Sequence, residues 1–253
     1  MDAGKGYANL FSCADKVVVV SGSGGLIGRE VCQGLRAAGA DVWEADIMAV
    51  AGDERAVRMD MCAESSVLDG LDLVLSKTGR IDSVVNCAYP RTADWGDAIE
   101  VVKAESWAEN LTMQLGGAFT LARGAAERMK EHGGSVISLS SIYGIVGPSW
   151  EVYDGTEMTM PSAYSAVKGG VLAMNRLLAT HYAKWNIRFN AVSPGGVEAG
   201  QPERFIAQYE ALTPLGRMAK PSDLVGPVVF LTSDASEYMT GQNLVVDGGW
   251  TAR

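Results

Sequence analysis

The segment at positions 16–39 constrains this chain most. Lys16-Val17-Val18-Val19-Val20 is a short apolar, β-branched run, which suits a strand buried on both faces of a parallel sheet. It leads straight into Ser21-Gly22-Ser23-Gly24-Gly25-Leu26-Ile27-Gly28. A helical repeat follows, with Leu26, Ile27, Val31, Leu35 and Ala38 on or near one face, and stops at Gly39. Strand, glycine loop and helix in that order open a dinucleotide-binding unit. Glycines let the backbone approach a pyrophosphate, and the helix N-terminus offers free N–H groups and a positive dipole end. Gly22, Gly25 and Gly28, with Leu26 and Ile27 between them, are the expected phosphate cradle.

The next strand, positions 41–46, ends on an acid. Asp46 lies 18 residues after Gly28, near the roughly 20 expected for the residue that binds the adenosine ribose. A carboxylate there accepts hydrogen bonds from ribose hydroxyls and repels a 2′-phosphate. NAD is therefore expected over NADP. Arg29 is expected along the helix surface, and Ile47, not an arginine, follows Asp46.

Apolar segments alternate with helix-like ones through the rest of the chain. Further strands are expected near 81–86, 135–139, 187–192 and 243–246, and helices near 65–77, 111–132, 162–185 and 222–231. At 253 residues and 47% hydrophobic the chain can bury one large core, and it shows no linker or repeat. The expected fold is α/β: a single Rossmann-like domain over 1–253, with a doubly wound parallel sheet flanked by helices on both faces. A net charge of −9 argues against nucleic acid or an anionic membrane as partner. No apolar run reaches the roughly 18 residues of a membrane span, and the N-terminal residues lack a signal-peptide pattern. Cys13, Cys32, Cys62 and Cys87 are scattered, and His132 and His181 are far apart. Reduced thiols, no metal site and a cytoplasmic location are expected.

Ser162-Ala163-Tyr164-Ser165-Ala166-Val167-Lys168 places a tyrosine and a lysine four residues apart after a candidate N-cap at Ser162. On a helix these lie on one face. A fixed ammonium lowers the pKa of a phenol, ordinarily about 10. Such a pair can take a proton from an alcohol or give one to a carbonyl near neutral pH.

Together these motifs resemble the short-chain dehydrogenase/reductase family over positions 17–249. Ser21 to Gly28 resembles the family's phosphate loop and Asp46 its NAD-selecting acid. Asp60, with Met61, matches the adenine contact. Asn86-Cys87-Ala88-Tyr89 stands where the family has Asn-Asn-Ala-Gly. Asn190, Pro194 and Gly195, with Val197 beyond them, match the segment beside the nicotinamide, and Asp247-Gly248-Gly249 the C-terminal close. The resemblance implies that Tyr164 is the general acid/base. It implies that Lys168 lowers its pKa and binds the nicotinamide ribose, and that Ser141 hydrogen-bonds the substrate oxygen. It also implies a homotetramer or homodimer built on the long central helices.

Five positions depart from the family pattern. Leu26 replaces a glycine of the loop, Gln114 the catalytic asparagine, Cys87 and Tyr89 an asparagine and a glycine, and Ala199 a threonine. Ser141 and Tyr164 are 23 positions apart, so the segment 148–161 reads as an insertion bordering the substrate pocket. Tyr153 in it, Tyr89, Arg91 and Arg204 are candidate substrate contacts. A narrower resemblance is to oxidoreductases associated with bacterial surface-glycan and flagellin modification, which implies a sugar-derived substrate. The expected function is an NAD-dependent oxidoreductase of a secondary alcohol or ketone. A dehydrogenase of hydrophobic alcohols and a weakly active NAD-binding regulatory protein are the alternatives.

Overall fold

The structure is a computed structural model that describes residues 9–49 and 54–253. Strand β1 (Val17–Ser21) is buried along its whole length, as a run of valines with no polar face must be. It pairs in parallel with β2 (Asp41–Asp46) on one side and β4 (Ser83–Asn86) on the other. With β3 (Ala56–Arg58), β5 (Gly134–Leu139), β6 (Ile187–Pro194) and β7 (Asn243–Val246) they form one seven-stranded sheet, ordered β3-β2-β1-β4-β5-β6-β7. The winding reverses between β1 and β4. A crevice therefore opens outside their carboxyl ends, where sheets of this kind bind ligands.

Alternate residues of β1 feed two cores, because side chains change face at every step of a strand. Val17 and Val19 join Val67 and Leu71 of α2 (Glu64–Thr78), Leu121 of α4 (Gly117–Met129) and Leu178 of α5 (Tyr164–Tyr182). Val18 and Val20 join Val31 and Leu35 of α1 (Leu26–Ala37) and Val228 of α7 (Val225–Thr232). A third cluster of Ile142, Val152, Phe205, Tyr209 and Trp250 lies outside the sheet.

The expected strands all form, each within two residues of the bounds read from sequence. The short β3 is additional; only Val57 of its three residues is buried. The helix expected at 111–132 begins earlier, as α3 (Ala104–Leu111), passes through a π-helical turn (Thr112–Gly116) and continues as α4. Gly117 fits because a Cβ there would lie 2.6 Å from the Met61 carbonyl oxygen. The helix expected from Ser162 starts at Tyr164, with Ala163 at the cap position and no side-chain cap. Leu26 is 49% exposed rather than on the apolar face; Gly28 and Cys32 sit on that face instead. Between β6 and α7 lies α6 (Glu203–Leu212), which carries Arg204.

Candidate active site

The glycine loop is tight enough to exclude any other residue at two positions. Gly22 has φ +69°, and a Cβ on it would lie 2.6 Å from the Ala88 Cα. A Cβ on Gly28 would lie 2.1 Å from the Gly22 carbonyl oxygen. These contacts bring the end of β1 against the end of β4. Asn86 locks the junction: its Oδ1 accepts from the Ser21 hydroxyl (2.9 Å) and the Ala88 N–H (3.1 Å). Gly25 caps α1 without a side-chain oxygen, so the first-turn amides of Leu26, Ile27 and Gly28 lack a side-chain acceptor.

Asp46 reaches over this loop from β2. Its carboxylate accepts from the Gly24 N–H (3.0 Å) and the Met48 N–H (2.9 Å). Asp60 accepts from the Cys62 N–H (2.9 Å) and donates its own N–H to Ser66 (3.0 Å), beside the buried Met61. At the end of β6, Pro194 leads into Gly195, whose N–H donates to the Val246 carbonyl (3.0 Å). Val197 bridges Ala219. The Ala199 N–H is accepted by the Gln201 side chain (2.7 Å), which also donates to the Val197 carbonyl (2.9 Å). Gln201 thus closes the loop at the missing threonine. Asn190 lies inside the sheet, and its amide holds the Met239 carbonyl and the Gln242 N–H.

Ser141 stands just past β5, where its hydroxyl accepts from the Tyr143 N–H (3.2 Å) at the start of a 3₁₀ turn (Ile142–Gly144). Helix α5 lies against that turn so closely that a Cβ on Gly144 would meet the Lys168 carbonyl carbon at 2.7 Å. The contact places Ser141 within hydrogen-bond reach of the Tyr164 hydroxyl. Lys168 is 9% exposed. Its ammonium donates to the Leu139 carbonyl (2.9 Å) and sits 5.6 Å from the centre of the Tyr164 ring and 5.5 Å from that of Tyr89.

Burial lowers the Lys168 pKa to about 8, with Cys87 acting weakly in the opposite direction. Burial also raises the Tyr164 pKa, and the hydrogen bond from Ser141 only partly offsets it. This reverses the expectation that Lys168 draws the phenol down. The ammonium lies over the ring and is engaged with a backbone carbonyl, so desolvation dominates and the phenol stays protonated at neutral pH.

Tyr89, in place of a family glycine, builds an aromatic wall. Its hydroxyl accepts from the Trp95 indole N–H (3.0 Å), and the two rings meet edge to face at 5.6 Å. Tyr89 and Trp95 lie 6.1 and 6.3 Å from the Tyr164 ring. Trp95 was not legible as a site residue; its one signal is a large aromatic shortly after Tyr89. The Arg91 guanidinium is 5.9 Å from the Tyr89 ring centre.

The insertion is anchored. Val152 is fully buried, and the Tyr153 ring packs 5.4 Å from Phe205 of α6. Arg204 donates to the Asp154 carbonyl (2.8 Å) and to Gln208 (3.1 Å), and Gln208 donates to the Val152 carbonyl (2.9 Å). Arg204 therefore ties the insertion to α6. One turn further along α6, Tyr209 stacks on Trp250 at 4.2 Å, and its hydroxyl accepts from the Gly196 N–H.

Gln114 lies on the π turn, 7% exposed, and neither atom of its amide has a partner. π turns recur at functional sites, and an unpaired buried amide marks a place for a ligand or water. Among the described residues no cluster of His, Cys, Asp or Glu could hold a metal, all four cysteines are free thiols, and no helix is long and apolar enough to cross a membrane.

The family model described as enoyl-(acyl carrier protein) reductase matches residues 23–251. Post-translational flagellin modification protein A of Campylobacter coli is 31% identical, over 93% of this chain and 98% of its own. A 2-dehydro-3-deoxy-D-gluconate 5-dehydrogenase of Escherichia coli is 31% identical, over 97% of this chain and 99% of its own. A short-chain dehydrogenase of Leptospira borgpetersenii, solved with bound NAD+, has a TM-score of 0.86 at 32% identity and covers 98% of this chain and 96% of its own. A Beutenbergia cavernae structure with NADP at low occupancy has a TM-score of 0.83 at 32% identity and covers 96% of this chain and 100% of its own.

Buried Lys168 and Gln114 are costly to hold. Lys168 has a pKa of about 8 in the fold against 10.5 unfolded. The penalty is complete below pH 8 and fades as the pH rises toward 10.5. Lys168→Met is expected to stabilise the fold at pH 7 by up to roughly 3 kcal/mol. That gain should shrink by pH 10. Gln114→Leu should stabilise by about 1–2 kcal/mol at any pH. Both variants should lose turnover. Urea unfolding at two pH values checks this; destabilisation at pH 7 would show that the buried groups are not the cost described.

Proposed function

The chain belongs to the short-chain dehydrogenase/reductase family and is an oxidoreductase of alcohols, and we propose that it moves a hydride between NAD and a secondary alcohol or ketone of a sugar-derived substrate. The observation that carries this reading is the meeting of Ser141, Tyr164 and Lys168 in one buried pocket beside the glycine cradle. The whole chain, 1–253, acts as one cofactor-binding domain in the cytoplasm.

The cradle suits a nicotinamide dinucleotide, because its two strand ends leave no room for side chains at Gly22 and Gly28. Gly22, Gly25, Leu26, Ile27 and Gly28 would hold the pyrophosphate. Asp46 would take the ribose hydroxyls, Asp60 and Met61 the adenine, and Asn86, Ala88, Pro194, Gly195 and Val197 the nicotinamide half. The carboxylate of Asp46 favours NAD over NADP. When bound, the cofactor supplies the hydride acceptor for an alcohol or the donor for a ketone.

Tyr164 holds the proton. Protonated, as burial leaves it, the phenol donates from Oη to a ketone oxygen as that oxygen gains charge. In the reverse direction it accepts the alcohol proton. Ser141 orients the substrate oxygen from the hydroxyl that already meets Tyr164. The charge of Lys168 opposes desolvation of the phenolate, and Gln114 offers its unpaired amide to the same proton relay. Tyr89, Arg91 and Tyr153 border the substrate, with Arg204 holding the insertion in place. An aromatic wall suits the C–H faces of a sugar, and the similarity to a dehydrogenase of a gluconate derivative supports that class.

Phe119 on α4 and Leu177 on α5 are 40% and 64% exposed. Pairing of these helices between copies would bury them in a homodimer or homotetramer. Light scattering at micromolar concentration should give two or four chain masses; a monomer overturns this assembly.

Tyr164→Phe should lower kcat by at least 100-fold, the usual worth of a positioned acid/base, while NAD affinity persists. Comparable turnover in the variant would remove Tyr164 from proton transfer. Asp46→Ala should shift the kcat/KM ratio of NAD to NADP toward NADP by tenfold or more. An unchanged ratio would take Asp46 out of the ribose site.

A further inference from the structure

We propose that Arg91 anchors a carboxylate of the substrate, so that this enzyme selects hydroxy acids and their keto acids over neutral polyols. The inference rests on the dehydrogenase reading above and deepens it. Arg91 follows Tyr89-Pro90 just beyond the end of β4. Its guanidinium lies 5.9 Å from the Tyr89 ring centre, and that ring lies 6.1 Å from the Tyr164 ring. The Trp95 indole fixes Tyr89 through its hydroxyl. A cation is thereby placed one aromatic ring away from the proton-transfer group. The two steps leave at most roughly 6 Å for the ligand itself once a hydrogen bond of roughly 3 Å is allowed at each end. That limit suits a small hydroxy acid.

Arg91 is exposed and has no carboxylate partner among the described residues. Arg36, Arg80, Arg128 and Arg217 each have one. Arg91 is thus a cation without an ion pair in a chain of net charge −9, and it sits one ring away from Tyr164. The nearest acid on its own segment, Asp94, is engaged with the Ser106 hydroxyl (2.5 Å). Contact with the Tyr89 ring satisfies the cation electrostatically while leaving its N–H fork to grip a carboxylate at two points. Arg204 is held differently, its Nε donating to the Asp154 carbonyl and to Gln208, which ties it to the insertion and to α6.

The test is calorimetric titration of the NADH-loaded protein with D-gluconate, D-sorbitol and D-glucose 6-phosphate. Gluconate should bind at least tenfold more tightly than sorbitol, its uncharged counterpart. That preference should fall at least tenfold in Arg91→Gln and be partly kept in Arg91→Lys. Absence of gluconate binding, equal affinity for the two probes, or an unchanged preference in Arg91→Gln overturns the inference. Tighter binding of the sugar phosphate than of gluconate overturns it in favour of a phosphate site. Hydride transfer is read separately as NADH absorbance. A protein that oxidises no alcohol yet prefers gluconate through Arg91 would fail the dehydrogenase reading and keep the anchor.

Discussion

The site depends first on the parallel register of the central strands. Ser21 pairs with Asn86, Asn86 with Ser138, and Ser138 with Ala191. With every strand pointing the same way, β1, β4, β5 and β6 all end at one edge. Gly22, Ala88, Ser141 and Pro194 are each a few residues past such an end, or at it. Residues far apart in the chain therefore face one crevice without any loop having to reach for them. The glycine contacts then remove the remaining slack. Gly22 lets β1 and β4 close against each other, and Gly144 lets α5 settle on the turn carrying Ser141. A methyl group at either place would separate the groups that the chemistry needs together.

That same closeness makes the pocket energetically unfavourable. Lys168 is a nearly buried cation with one carbonyl and two ring faces as its partners. Tyr164 is raised by burial, and the Gln114 amide is unpaired. The buried ammonium and the unpaired amide oppose folding at neutral pH, whereas the phenol, protonated whether folded or unfolded, does not. An ammonium with a lowered pKa and a phenol with a raised one are both displaced from their free values in the direction of neutrality. In that state the pocket is set to give a proton. A buried site with perturbed acids and bases is where catalysis is expected to concentrate, and the large apolar cores on both faces of the sheet supply the stability it draws on.

Much of this was legible in the sequence because it rests on local rules. The valines of β1, the glycines after it, and the acid closing β2 each follow from period and backbone freedom, and their places in the fold agree with the reading. The four-residue spacing of Tyr164 and Lys168 put them on one helix face. Other features depend on tertiary contact and left weak signals. The three-residue β3 has too few apolar positions to show a period. The π turn at Gln114 lies beside the close approach of Gly117 to Met61, which no spacing displays. Trp95 joins the site through its bond to Tyr89 and its contact with the Tyr164 ring. The Tyr164 pKa ran against expectation because sequence places charges near one another but does not say how much water is left.

The two arginines flagged at the pocket separate for the same reason. Arg204 and Arg91 are alike as sequence: each is a basic residue in a segment that borders the substrate. Tertiary structure gives Arg204 a carbonyl and an amide to hold, and so makes it a brace. Through it the insertion is fastened to α6, and α6 reaches by Tyr209 to the Gly196 N–H beside the expected nicotinamide site. Substrate wall and cofactor loop are thus joined by one helix, and a shift at either end must be felt at the other or break a bond between them. Arg91 has no such tie. It rests on a ring that is itself pinned, with its donors free. An unpaired cation on a rigid support is preorganised for an anion, because little freedom is left to lose when one arrives.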